Sequence, residues 1–468
     1  MMKIYFILVL YLIFSSSFTI NAQIIHYPPP PDSLNLENNF YKIKIREIKT
    51  GKKQVESWIN LFEYKAFVRR DSVCMTSFVQ FDFTGKVELC IAPRKIPLKD
   101  IKSIDIRPLN NKIKYKKKDD GIYIILEKPQ NLSVEINKDR YSNLQIFSNY
   151  PIQKILKKLN NYIYFPEGVH NPPKGDSFII PSNSTVYIAP GAILQGTIVC
   201  KQVENVAISG RGFIINSKQG IRIEHSKKIS IDGITIINPT HYSVAGGESS
   251  DIKISNLRSF SSKVWSDGLD FMSCKNITID SVFLRNSDDC LAFYNHRWKY
   301  YGNTQNIIVK NTILWADRAH PINIGTHGNP LKAEYIENLS FDNIDILEHR
   351  EPYITYQGCI AINAGDKNIV RNITFKNIRI ERISQGRLFY LKVIFDKHWN
   401  KAPGGYIKNI KFENIISQIN PDSKSLIQGY DSISNIQNIE FKNVRIKKQY
   451  IQPTDFYKKK YVEKIIFK

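Results

Sequence analysis

Short segments that alternate apolar and polar residues occupy the chain after residue 38. Residues 40–45, 77–83, 121–126 and 132–136 follow this pattern, and turn residues separate them. Successive side chains of a strand point to opposite faces, so each segment can bury one apolar stripe. The pattern predicts an antiparallel β-sandwich over residues 38–155.

The second part of the chain is a repeat array. Each unit reads Asn, an aliphatic residue, a polar residue, an apolar residue and a polar residue, and usually ends with another Asn. Clear copies begin at Asn276, Asn306, Asn338, Asn372, Asn409 and Asn438, and weaker copies begin at Asn205, Lys228 and Asp251. The starts are 23, 23, 25, 30, 32, 34, 37 and 29 residues apart.

One such unit cannot bury its own apolar stripe, but stacked units share a continuous core. Asn at the corners tolerates left-handed backbone and can hydrogen-bond along the stack. The period, without helical periodicity or a Leu-x-x-Leu-x-Leu pattern, predicts a right-handed parallel β-helix over residues 156–468. The fold class is therefore all-β, and the longer later periods predict loops that wall a groove.

The first 22 residues have the pattern of an export signal. Lys3 precedes an apolar run over residues 4–14, and the small Ala22 fits a cleavage point. The run is too short for a comfortable membrane span, and no later segment is long enough for one. A proline run at 28–31 predicts an extended spacer over residues 23–37. We therefore expect a secreted or periplasmic protein, which need not oligomerise.

The six cysteines have no metal-ligand spacing. An exported chain permits disulfides, and Cys74 and Cys90 could pair within the sandwich. Cys200, Cys274, Cys290 and Cys359 lie in apolar strand contexts, where buried thiols are expected.

The net charge of +23 is consistent with an anionic partner such as an acidic polysaccharide. Many lysines, however, occupy solvent-facing positions of the repeats, which explains the charge without a partner. We expect no nucleic-acid binding, because the chain carries no module typical of it.

Acidic residues and a His converge in three successive coils. The segments are Trp265-Ser-Asp267-Gly-Leu-Asp270, Asn286-Ser-Asp288-Asp289 and Asp317-Arg318-Ala-His320-Pro-Ile-Asn323-Ile-Gly325. Asp267 and Asp288 are 21 residues apart, about one coil, and stacked strands lie about 4.8 Å apart. Three carboxylates and His320 should therefore meet on one groove wall.

Such a cluster suits glycosidic hydrolysis. An inverting enzyme needs a protonated acid for the leaving oxygen and a carboxylate for water, about 6.5–9.5 Å apart. Crowded carboxylates raise one another's pKa, which keeps one of them protonated. A Ca²⁺ site and simple turn capping remain alternatives from spacing alone.

At these residues the chain resembles the β-helical glycoside hydrolases of families 28 (polygalacturonases) and 49 (dextranases and isopullulanase), over about residues 180–445. The resemblance implies inversion, with Asp288 as general acid and Asp267 and Asp289 holding the attacking water. It places His320 beside the acid and makes Arg318 a partner for substrate or carboxylate. No metal or other cofactor is implied.

Two features separate the families. Polygalacturonases carry Arg-x-Lys in the coil after the His, but residues 358–366 here contain no basic residue. Family 49 enzymes place a β-sandwich before the β-helix, as predicted here, and residues 387–392 resemble a late segment of that family. The resemblance therefore favours the dextranase-like side, with a polygalacturonase-like hydrolase of acidic polysaccharide as the alternative.

Further side chains are expected to contact sugar. The candidates are Trp265, Asp270, Tyr294, Arg318, Asn323, His327 and Asp366, with Trp298, Tyr300 and Tyr301 on an insertion at 295–302 that could instead pack on the first domain. His327 is the weaker His, because it follows the apolar run. A polysaccharide lyase and a non-catalytic glycan-binding β-helix are the competing functions.

Overall fold

The computed structural model describes residues 23–48, 57–152 and 161–468, with the side chains of 458 and 459 left out. It contains a β-sandwich followed by a parallel β-helix, so the predicted fold class is confirmed. The predicted export signal lies outside the described residues. No helix in the described part is both long and apolar enough to cross a membrane.

The sandwich is built from two sheets that enclose an aliphatic core. One sheet contains Gln23–His26, Tyr64–Val68, Cys74–Thr84, Ile104–Arg107, Asn131–Ile136 and Leu144–Asn149. The other contains Tyr41–Glu47, Ile59–Leu61, Val87–Pro93, Tyr115–Lys118 and Gly121–Leu126. All pairings are antiparallel except that of Leu144–Asn149 with Cys74–Thr84.

One face of the β-helix is a parallel sheet with one strand from each coil. Its strands are Ser177–Ile179, Thr197–Lys201, Ile221–Glu224, Val244–Gly247, Leu269–Met272, Leu291–Tyr294, Ile322–Gly325, Ile360–Ala364, Phe389–Val393, Ser425–Gln428 and Phe456–Lys460. We call this sheet the third face.

The other two faces begin as separate rows of strands. The first face contains Asn161–Phe165, Ser184–Ile188, Glu204–Gly210, Lys227–Asp232, Ser250–Ser255 and Lys275–Asp280. The second contains Gly168–His170, Ala192–Leu194, Phe213–Ile215, Thr235–Ile237, Arg258–Phe260 and Phe283–Asn286. From residue 304 each coil joins both in one bent strand: Thr304–Ala316, Tyr335–Glu348, Ile369–Ile380, Ile407–Ser417 and Ile436–Ile446.

The remaining elements are short or terminal. Gln449–Tyr450 and Val462–Phe467 both pair with the last bent strand. The 3-10 helices of the described residues are Asp32–Leu34, Leu98–Asp100, Leu109–Asn111, Ile354–Tyr356 and Pro453–Asp455.

The repeat Asn residues form a ladder along one corner. Asn306 donates to Asn276 at 3.1 Å, Asn409 to Asn372 at 3.0 Å and Asn438 to Asn409 at 2.8 Å. Each has a φ between 56° and 58°, the left-handed conformation that Asn tolerates. The predicted role of the corner Asn is therefore confirmed.

The sandwich packs firmly on the second face of the β-helix. Tyr64 and Phe78 of the sandwich contact Phe213 and Phe260 of the β-helix in one buried aromatic cluster. In the same interface, Arg107 of the sandwich pairs with Glu381 of the β-helix at 2.6 Å. A buried apolar and ionic interface of this kind fixes the two domains relative to each other.

Two predictions about the first domain need correction. Residues 23–26, predicted as spacer, form a strand that pairs with residues 81–84, because apolar Ile24 and Ile25 complete that sheet. Cys74 and Cys90 do not pair; they lie in different sheets, and all six cysteines are free.

Candidate active site

The acidic residues lie at the turns that lead into the third face. Leu269, Leu291 and Ile322 are in register on neighbouring strands, so the residues two positions earlier, Asp267, Asp289 and His320, stack along one line. Carboxylate oxygens of Asp267, Asp288 and Asp289 lie within 4.8 Å of one another. The structure thus brings together the cluster expected from the repeat spacing.

Buried polar residues hold the turn that carries the paired aspartates. The Asn286 amide donates to the hydroxyls of Ser259 and Ser261, at 3.0 Å each, and the Ser287 hydroxyl donates to the Ser261 carbonyl at 2.8 Å. On the preceding coil, Trp265 has a φ of 62°, which directs its backbone N–H to the Asp288 carboxylate at 3.2 Å. Left-handed backbone is costly for a bulky residue, so the neighbouring structure must impose it.

His320 forms a buried ion pair with Asp289. Its Nδ1 lies 2.7 Å from Asp289, and its Nε2 lies 2.7 Å from the Tyr356 carbonyl. A carboxylate and a carbonyl only accept hydrogen bonds, so both ring nitrogens donate and the ring is an imidazolium. Burial would raise the pKa of Asp289, but this cation and a hydrogen bond from Asn323 lower it. The pKa of His320 is raised in turn, because attraction to Asp289 exceeds the effect of burial.

Asp267 has the opposite environment. Burial first, and then the charges of Asp270, Asp288 and Asp289, raise its pKa well above the usual range. Asp270 is fully buried behind it, and its pKa is also raised by burial and by neighbouring carboxylates. The pKa values of Asp267 and Asp289 are therefore shifted in opposite directions.

Asp288 differs from both, because a residue from the sandwich reaches it. The Arg70 guanidinium forms an ion pair with its carboxylate. Burial raises the pKa of Asp288, and Arg70 opposes that increase.

A cavity open to solvent lies in front of the three carboxylates. Aromatic rings form much of its wall: Tyr242, Trp265, Tyr294, Tyr353, Tyr356 and Trp399, together with His327 and His398. Trp265 is about half exposed and meets Trp399 edge to face at 6.2 Å. Aromatic rings around acids are typical of sugar-binding clefts, where ring faces cover apolar sugar surfaces.

Arg297 is the cation in this cavity without a carboxylate partner. Its guanidinium lies over the rings of Trp298, Tyr294 and Tyr242, 4.7 to 5.6 Å from their centres. No ion pair joins it to any carboxylate of the described residues. Burial would lower the pKa of Arg297, but Tyr242 and Tyr294, and then Asp270 and Asp267, raise it. An anionic group that entered the cavity would find this charge available.

The other predicted residues occupy several places. Tyr294, His327 and Arg318 line the cavity, but Arg318 is paired with Asp71 of the sandwich at 2.5 Å. Asn323 lies behind Asp289, to which its amide donates at 2.7 Å.

Asp366 is outside the cavity wall, in contrast to the prediction that it contacts sugar. Its carboxylate accepts hydrogen bonds from the backbone of Lys401 and Ala402, at 2.7 and 3.0 Å. It therefore anchors the loop that carries His398 and Trp399. These partners lie 35 and 36 residues further along the chain, so the sequence around Asp366 does not indicate the contact.

The insertion at 295–302 divides its aromatic residues between two surfaces. Trp298 stacks on Tyr242 at 6.0 Å, and Tyr300 is buried with its hydroxyl on Glu224 at 2.6 Å. Tyr301 stacks on His296 away from the cavity. Most of the insertion therefore packs on the β-helix itself. Arg297 is the residue of the insertion that lines the cavity.

Sequence reasoning missed Arg70, Tyr356 and Trp399. Arg70 belongs to the other domain, and only the docking of the two domains brings it to the site. Tyr356 and Trp399 lie in loops between repeats, where no periodicity indicates their direction.

The carboxylate cluster fits a bound divalent cation poorly. Ca²⁺ takes 6–8 oxygen ligands, but the cluster offers three residues, and the oxygens of two of them have other partners. Both oxygens of Asp289 accept hydrogen bonds from His320 and Asn323, and Asp288 is paired with Arg70. The positive charge that balances the cluster comes from the protein.

A family comparison agrees with the β-helical fold and its carboxylate cluster. Residues 190–462 match the profile of Glycosyl hydrolases family 28, which is more than half of the chain. The chain therefore belongs to that family.

Among curated relatives, a probable endopolygalacturonase D of Neosartorya fischeri is 27% identical over 195 residues, and a probable exopolygalacturonase B of Aspergillus terreus is 25% identical over 229. These matches cover 41% and 47% of this chain but only 35% and 44% of the relatives. The chain thus spans less than half the length of the curated relatives it matches.

Solved structures share the fold. Dex49A from Penicillium minioluteum superposes with a TM-score of 0.59, over 92% of both chains at 15% identity. A family 28 exopolygalacturonase from Yersinia enterocolitica superposes with a TM-score of 0.50, over 81% of this chain and 96% of the other at 12% identity. The predicted resemblance to family 28 is confirmed by the sequence match, and the fold over both domains resembles that of Dex49A.

Proposed function

We propose that the protein hydrolyses an α-glycosidic bond in a polysaccharide with inversion, using Asp288 as general acid, Asp289 to deprotonate the attacking water and Asp267 to help hold that water. The observation that carries this proposal is the cluster of three carboxylates whose partners differ, in front of an aromatic cavity. The same carboxylates can protonate a leaving oxygen and activate water only if their pKa values are separated. His320 stabilises the ionised form of Asp289 as a positioning residue.

One observation argues against inversion of the anomeric configuration. Carboxylate oxygens within 4.8 Å lie closer than the gap of about 6.5–9.5 Å between carboxyl groups that inverting enzymes usually show. Retention, with a carboxylate as nucleophile, is therefore the second candidate mechanism. Family resemblance supports inversion, as does Asp289, whose two oxygens already accept hydrogen bonds and are poorly free to attack carbon.

We propose an acidic polysaccharide of the polygalacturonate type as substrate. Two observations support it: the matched relatives are described as polygalacturonases, and Arg297 offers an unpaired cation beside the carboxylates. The dextranase-like function favoured by the sequence is the second candidate. It is supported by the buried Ala361 and Asn363, which leave the coil after His320 without a cation.

The test is a screen for reducing ends released by the purified protein from dextran, pullulan, polygalacturonate and a sulfated galactan. Asp288→Asn should abolish release while the fold persists, and Asp119→Asn, an exposed turn residue of the sandwich, is the matched control. A rate near wild type in Asp288→Asn would refute the assignment. Early products resolved by NMR should carry the β anomer; the α anomer would establish retention.

The same screen separates the competing functions. An unsaturated uronate product that absorbs in the ultraviolet and disappears with chelator would indicate a lyase. Binding without release of reducing ends during long incubation would indicate a glycan-binding protein.

We also propose that the protein is exported and acts as a monomer. A polymer outside the cell is the substrate that this cavity would meet, and residues 1–22 have the pattern of an export signal. Cell fractionation and the solution mass of the mature protein test these two points.

A further inference from the structure

A hairpin of the sandwich reaches into the active site of the β-helix. Strands Tyr64–Val68 and Cys74–Thr84 pair antiparallel, and the turn between them, residues 69–73, projects over the catalytic turns. The hairpin is held from below, since Tyr64 and Phe78 belong to the buried interdomain cluster and the Phe67 backbone N–H donates to Asn238 at 3.3 Å.

Two adjacent residues at its tip make charged contacts across the domain boundary. Arg70 pairs with Asp288, and Asp71 accepts from Arg318 and Arg350 at 2.5 and 2.6 Å. Arg318 belongs to the same coil as His320, so the tip is tied to the catalytic wall at two points. Each contact is only partly exposed, which limits screening by solvent.

From this geometry we propose that Arg70 is a positioning residue for the general acid, so that the active site is complete only when the sandwich is docked. This inference rests on the proposed function. Arg70 fixes the orientation of the Asp288 carboxylate together with the Trp265 backbone N–H, which donates to the same oxygen. Asp71 holds the tip in place through Arg318 and Arg350.

The charge balance around Asp288 shows why this cation matters. The groups that face it are Asp289 on its own turn, Asp267 and Asp270 on the preceding coil, Tyr242 one coil earlier, and Arg70 on the hairpin. Three of these neighbours are carboxyl groups, and burial adds to their effect. Without Arg70 the pKa of Asp288 would rise further, because the favourable charge would be lost.

The variant Arg70→Met, with Arg70→Lys as the conservative replacement, tests the proposal in the full-length protein. The basic limb of the kcat/KM profile reports a general acid that must be protonated. In Arg70→Met this limb should move to higher pH, and kcat/KM should fall about 10- to 100-fold through lost positioning. Arg70→Lys should recover part of both effects. The matched control Arg69→Gln changes the neighbouring arginine, which packs on Tyr141, and should leave the limb in place.

A double-mutant cycle provides a readout that needs no substrate. Melting temperatures of wild type, Arg70→Met, Asp288→Asn and the double variant should be non-additive, because the two side chains contact each other. Additive melting temperatures with an unmoved basic limb would overturn the role of Arg70. Absence of hydrolysis by the wild type would instead refute the proposed function, while the cycle still decides whether the pair forms.

Discussion

The His320–Asp289 pair yields the sharpest prediction about catalysis. In His320→Asn the amide stands where Nδ1 was, so the variant keeps a donor to Asp289 but loses the positive charge. Asp289 then remains buried without its cation. Breaking a buried pair by removing one partner costs about 3–5 kcal/mol, and the retained hydrogen bond places this variant at the lower end.

The pH dependence of stability follows from the two pKa shifts. The lowered pKa of Asp289 stabilises the fold above the unfolded pKa of Asp, and this contribution is lost as pH falls through the folded value. The raised pKa of His320 stabilises the fold below the unfolded pKa of His, and this is lost as pH rises through the folded value. The melting-temperature difference between wild type and His320→Asn should therefore be larger at about pH 5.5 than at about pH 9.

The same variant should change the pH profile of hydrolysis. Loss of the cation raises the pKa of Asp289, so the acidic limb of kcat/KM should move to higher pH. The rate should fall about 100-fold at the optimum, since support of a catalytic group by its neighbour is typically worth 10–100-fold or more.

His320→Gln is the matched control for this pair. It keeps a donor towards the Tyr356 carbonyl but not towards Asp289, and it should be the slower variant. An unmoved acidic limb in His320→Asn, or an equal melting-temperature difference at both pH values, would refute the ion pair.

Two further outcomes follow from the site. Arg297→Gln should lower kcat/KM on polygalacturonate at least 10-fold, because the unpaired cation faces the cavity, and it should leave kcat/KM on a neutral glucan unchanged. Equal losses on both polymers would contradict the role of Arg297 as an anion partner. Incubation with EDTA should leave the rate of hydrolysis within two-fold of its initial value, since Arg70 and His320 already balance the charge of the carboxylates. A loss of activity that added Ca²⁺ restores would instead indicate a metal site.

The repeat period carried most of the fold prediction. A unit such as Asn276 to Asp280 specifies a strand, a corner and the direction of its apolar stripe, and these are local properties. The units stack because each one has an apolar stripe that it cannot bury alone. The line of Asp267, Asp289 and His320 could therefore be predicted from spacing alone.

The strand at 23–26 and the contact of Arg70 could not be predicted in the same way. Gln23–His26 is four residues long and precedes a proline run, so its sequence resembles a linker until its partner Cys74–Thr84 is known. Arg70 and Asp288 are 218 residues apart. Such pairings depend on how two folded domains meet, and they leave no periodic signal.

The three aspartates lie in one cluster, yet the charged neighbours of each come from a different part of the chain. Asp289 receives its cation from the following coil through His320, whereas Asp267 faces Asp270 within its own coil. Asp288 receives its cation from the sandwich through Arg70. Asp267 and Asp289 already differ within the β-helix, whereas Asp288 depends on the sandwich for its cation. The acid–base roles proposed for the three residues therefore depend on the assembled two-domain structure.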